Sequence, residues 1–72
     1  MMVFSKQKMM ERLEKEGRAH LVDEDSAGIM DMLDGKEAMK NDFKALVYDE
    51  LEYYVRVNGE NYAVNPNDCI EK

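Results

Sequence analysis

The chain has 72 residues, 44% of them hydrophobic and 36% charged, and a formal net charge of −6 at neutral pH. That length suits one small domain with a modest core, the hydrophobic content argues against a disordered chain, and no apolar run reaches membrane-spanning length. Cys69 is the only cysteine, which excludes an intrachain disulfide, and the acidity disfavours direct contact with nucleic acid, whose phosphates demand a basic face.

The charge is uneven. Residues 1–18 hold five Lys/Arg against three Glu, a balance of +2, while residues 19–72 hold five against thirteen acids, a balance of −8. Seven Met and no Trp indicate an adaptable core without rigid aromatic anchors. The opening "MMVFSKQKMMERLEKEG" is charged throughout and has no uninterrupted apolar core, so no signal peptide is expected, and a reducing cytoplasm is the expected setting.

The first predicted element is a helix. Ser5 is a good N-cap, "KQKMMERLEKE" has no breaker, Met9, Met10 and Leu13 share a stripe with Phe4 near its start, and Gly17 is placed to close the helix in a left-handed cap. A second helix of two to three turns is expected to start at Asp25 or Ser26, to carry Ile29, Met30 and Leu33 inward, and to stop at Asp34-Gly35.

After Gly35 the pattern turns to strands. "KEAM" and "FKALVY" read as short strands around the polar turn "KND". The hairpin signature lies in "LEYYVRVNGENYAV": Asn58-Gly59 separates two alternating runs, and a two-residue loop needs positive φ at both of its residues. That loop fixes a register of Val57 opposite Glu60, Val55 opposite Tyr62 and Tyr53 opposite Val64. Tyr53, Val55, Val57, Tyr62 and Val64 then share the core face, and Glu52, Tyr54, Arg56, Asn61 and Ala63 the wet one. "NPND" reads as a turn or one 3₁₀ turn, and "CIE" as a last short strand. The expectation is one α+β domain, with one or two short helices in residues 1–34 and a small antiparallel sheet in residues 35–72. Its strand pattern resembles an SH3-like barrel, an analogy that carries no function with it.

Chemistry is sparse. "DEDSAGIMDMLD" sets Asp23, Asp25, Asp31 and Asp34 at positions one, three, nine and twelve of a calcium-type loop, with Gly28 at six. Position five is Ala27 and position twelve offers Asp rather than Glu, so the capped-helix reading is stronger, with its acids in the first turn where the helix dipole favours them. His20 has no second His or nearby Cys to share a metal or a proton with, and it is read as a packing or hydrogen-bonding residue. Cys69 is read as a small buried hydrophobe. The four glycines are scattered and form no phosphate loop. No catalytic residue, metal or cofactor is assigned, and enzymatic activity is not expected.

At "FSKQKMMERLEKEGRAHLV", "IMDMLDGKEA" and "VNGENYAVNPNDCIE" the sequence resembles small uncharacterised proteins encoded by phages and prophages of Gram-positive bacteria. The resemblance implies an accessory protein acting in an infected cell, where such proteins often bind and disable host factors, including CRISPR effectors and other defence proteins. It brings no functional residue with it.

The leading expectation is therefore a non-catalytic inhibitor of a host protein with a basic surface, an anti-CRISPR-like role. Its contact residues would be Asp23, Glu24, Asp25 and Asp31, joined by Asp49, Glu50 and Glu52, all carboxylates facing Lys or Arg of the partner. A second expectation is an oligomeric sponge for a small signalling nucleotide, with a pocket at a dimer interface lined by Arg18, Tyr54 or Arg56. A third is a small structural or assembly protein.

Overall fold

The computed structural model describes residues 1–40 and 53–72. The elements are β1 (Met2–Phe4), α1 (Lys6–Lys15), a 3₁₀ turn (Ala19–Leu21), α2 (Glu24–Leu33), β2 (Met39–Lys40), β3 (Tyr53–Val57), β4 (Glu60–Val64), a second 3₁₀ turn (Pro66–Asp68) and β5 (Cys69–Glu71). The domain is α+β, its two helices followed by antiparallel strands, as the sequence pattern requires.

Both helices are capped by their own sequence. The Ser5 hydroxyl accepts from the Lys8 N–H at 3.1 Å, and α1 ends beside Gly17, which adopts φ +70°. For α2 the predicted cap is displaced. Asp23, rather than Asp25 or Ser26, is the N-cap, and its carboxylate accepts from the Ser26 N–H at 2.8 Å. Three acids crowd this helix start, and the first of them adopts the extended backbone that a cap needs. "DEDSAGIMDMLD" is thus a capped helix, and Gly28 lies inside it.

The hairpin keeps the predicted register residue for residue. Asn58 and Gly59 adopt φ +52° and +81°, and Val57, Val55 and Tyr53 lie opposite Glu60, Tyr62 and Val64. Val55 is fully buried and Val64 nearly so, whereas Arg56, Asn61 and Ala63 are exposed.

The first strand is a departure from the expected order, since residues 2–4 form β1 before any helix begins. Three residues have too little sequence to signal a strand, and the apolar spacing groups Phe4 with the stripe of α1 instead. β1 pairs antiparallel with β5, Val3 opposite Ile70 and Phe4 opposite Cys69. Its other side meets the chain leaving α2: the Phe4 N–H donates to the Lys36 carbonyl at 2.9 Å, and the Ala38 N–H to that of Met2 at 2.8 Å. The predicted strand "KEAM" is correspondingly reduced to a single bridge at Glu37 opposite Val3 and the two residues of β2, which pair with β3. The predicted strand "FKALVY" lies outside the described residues. The strands thus form two sheets, β1-β5 and β2-β3-β4, joined through the Val3–Glu37 bridge, and Phe4, Met30, Leu33, Ala38, Val55, Val64 and Cys69 pack into one core.

Candidate functional site

Among the described residues, the acids expected to meet a partner fall in two groups along α2. Asp23, Glu24 and Asp25 lie together, exposed, at the N-terminus of α2, where the helix dipole favours negative charge. The hydrogen bond from Ser26 holds the Asp23 carboxyl below the usual carboxylate range. Asp31, further along the helix, forms an ion pair with the Lys6 ammonium, and Asp34 accepts from the Lys6 N–H at 2.9 Å, so both fasten α2 to the start of α1. Asp49, Glu50 and Glu52 lie outside the described residues.

A groove of about 480 Å³ opens beside this acidic end, between the helices and β4. Met9 and Leu13 of α1, Leu21 of the 3₁₀ turn and Ile29 and Met30 of α2 line one side, and Tyr62 to Asn65 the other. Ile29, which the apolar spacing had turned inward together with Met30 and Leu33, is 43% exposed, and Leu21 is 62% exposed. Met30 and Leu33 occupy the core while Ile29 stands on the rim. Exposed aliphatic side chains beside a concave apolar surface are the kind of feature that marks binding surfaces.

Among the residues lining the groove, Arg12 grips Asp68. Its Nε donates to Oδ1 at 2.7 Å and its Nη2 to Oδ2 at 2.9 Å, and Asp68 is 1% exposed. Arg12 also donates to the Glu16 carboxylate. The hydrogen bond to Asp68 raises the guanidinium pKa, as a charge-assisted bidentate contact does. The Asp68 carbonyl accepts from the Ser5 N–H at 2.8 Å, which makes the second 3₁₀ turn the anchor of α1 at two points. Sequence reading missed this pair because its members are 56 positions apart and nothing local marks either one.

The residues expected to hold a nucleotide divide between the groove and the hairpin. Arg18 lines the groove and pairs with Glu16 at 3.1 Å. Tyr54 and Arg56 belong to the hairpin face opposite that of Val55 and Tyr62, and neither lines the groove. His20 is exposed in the first 3₁₀ turn. Cys69 is buried, as its reading as a small hydrophobe required, and burial pushes its thiol pKa up, against the direction a nucleophile needs. No described helix is long and apolar enough to cross a membrane.

No family model, curated protein or solved structure matches the chain.

Proposed function

We propose that this chain is a non-catalytic acidic binding protein, a phage accessory factor that docks on the basic surface of a host nucleic-acid-handling or defence protein and inhibits it. One observation carries the reading: the exposed acids Asp23, Glu24 and Asp25 run directly into the groove wall at Ser26, Ile29 and Met30. A single helix thus offers a charged patch and an apolar cleft side by side. Carboxylates at the edge speed encounter and select basic partners, while the apolar centre contributes the larger share of affinity. Glu24 and Asp25 support this role best, because Asp23 is engaged as a cap and Asp31 by Lys6.

The strand path from β5 to β4, with a 3₁₀ turn just before β5, supports reading the body as an SH3-like small barrel whose first connection carries both helices. The resemblance to phage-encoded proteins supports the cellular setting.

The test is affinity capture of the tagged protein from a host lysate at low and high salt, comparing the native chain with Glu24→Lys/Asp25→Lys, which leaves the Asp23 cap in place. A host protein retained at low salt by the native chain, released by high salt and lost in the double variant is the expected result. Retention at high salt by the double variant overturns the electrostatic reading.

A further inference from the structure

We propose that the groove receives an extended, basic segment of the partner, which adds as a new strand to the outer edge of β4. This rests on the reading of the chain as an acidic binding protein and names the form of its ligand.

The hairpin register assigns the backbone groups. In a two-residue hairpin the positions flanking the loop form a hydrogen-bonded pair, and such pairs then recur at every second residue. Val57 with Glu60, Val55 with Tyr62 and Tyr53 with Val64 are therefore the bonded pairs of this ladder. The N–H and C=O groups of Asn61 and Ala63 consequently point away from β3. β4 ends the strand order β2-β3-β4, so among the described residues those groups face no other strand. A strand edge that no described strand covers is a template for another chain.

The groove runs along that edge. Tyr62, Ala63, Val64 and Asn65 all line it, although successive side chains of a strand point to opposite faces. Four consecutive bordering residues put the backbone of β4, and not one face of its side chains alone, in the groove wall. A chain paired with Asn61 and Ala63 would run from the strand edge into the groove at Tyr62 to Asn65 and turn alternate side chains onto Met9, Leu13 and Ile29 on the helical side. A helical ligand could fill the apolar space but would leave the edge amides unpaired. Recognition of this form takes affinity from main-chain hydrogen bonds and specificity from pockets for alternate side chains.

Charge fixes the composition of the segment. Among the described residues the two cations that line the groove are already answered, Arg12 by Asp68 and Glu16, and Arg18 by Glu16. The rim adds Glu24 and Asp25 at the start of α2 and Glu60 at the start of β4, the last accepting from the Tyr62 hydroxyl at 2.9 Å. Lysine or arginine side chains flanking the buried positions meet this rim with opposite charge.

The experiment titrates the full-length ¹⁵N-labelled chain with a capped synthetic peptide alternating Lys and Val over seven residues. Two further versions are N-methylated on one or the other alternating set of amides, and a fourth replaces Lys with Glu. Strand addition predicts slowed amide exchange at Asn61 and Ala63 in the complex. It also predicts roughly tenfold weaker binding when one N-methyl set is present and little change with the other, since only one set faces β4. The Glu peptide is expected to bind more weakly than the Lys peptide. Ala63→Pro, which removes an outward N–H from an edge position where proline is tolerated, is expected to weaken the Lys peptide while its thermal midpoint reports that the fold is kept. Equal affinity of the two N-methylated peptides overturns strand addition. So does salt-sensitive binding that perturbs Glu24 and Asp25 but neither Asn61 nor Ala63, and that outcome leaves the acidic-surface reading intact. Failure of the Lys peptide to bind at low salt also overturns strand addition, and the lysate capture then decides the broader reading separately.

Discussion

The seam between β1 and β5 and the hairpin of β3 and β4 are both short antiparallel ladders, and they are held by different means. The hairpin joins neighbours in sequence, and its register follows from two loop residues with positive φ. The seam joins the two ends of the chain, where the Met1 ammonium donates to the Glu71 carboxylate 70 positions away. Three residue pairs are too few to hold it. It depends on Phe4 in the core, on residues 35–38 along the other side of β1, and on Arg12 holding Asp68 just before β5. A short ladder without a strong turn must be fixed by contacts outside itself.

Substitutions that separate these two mechanisms differ in size. The largest effect is expected for Phe4→Ala: an aromatic side chain 2% exposed is replaced by a cavity, and the loss is about 3–5 kcal/mol, enough to unfold a domain this small. Chemical denaturation followed by far-ultraviolet circular dichroism measures it. Arg12→Ala is expected to cost about 3 kcal/mol by leaving a buried carboxylate without its partner, in the same unfolding measurement. Replacing both members, as Arg12→Met/Asp68→Leu, is expected to recover much of that loss, because an apolar pair of similar volume needs no desolvation.

Gly59→Ala acts on the hairpin alone. At φ +81° a side chain is strained, and the expected loss is about 1–2 kcal/mol, with the β1 to β5 amides keeping their relative protection in hydrogen exchange. Asp23→Ala gives the smallest change and the one that depends on pH. The Asp23 pKa is lowered in the folded chain, so its contribution is complete above the ordinary carboxylate pKa and disappears as the pH falls through the folded value. Thermal midpoints of the native chain and the variant are expected to differ at neutral pH and to converge in strong acid.

The comparison also explains which features could be read from the sequence. Ser5, Gly17 and Asn58-Gly59 act on residues within four positions of themselves, and each produced the predicted cap or turn. Alternation around the loop then sorted Val55 and Val64 from Arg56 and Asn61. At α2 three residues within a run of four, Asp23, Asp25 and Ser26, are all good caps, so the choice among them depended on the path by which the chain arrives. β1 and the Arg12–Asp68 pair had no local signal, since each is defined by a partner from the far end of the chain. The site was readable in the same proportion. The acids at the start of α2 stand out in the sequence, but the groove beside them exists only once α1, α2 and β4 are brought together, and the exposure of Ile29 depends on that assembly.

The meeting of Met2 with Glu71 also bears on the order of events in folding. Closing a loop that spans nearly the entire polypeptide carries an entropic penalty that no helix or tight turn faces, and the prediction is that this closure follows the rate-limiting step, to be checked by the folding and unfolding rates of variants. Damage to β1 would then accelerate unfolding and barely alter the refolding rate, whereas damage at the Asn58-Gly59 turn would slow refolding itself.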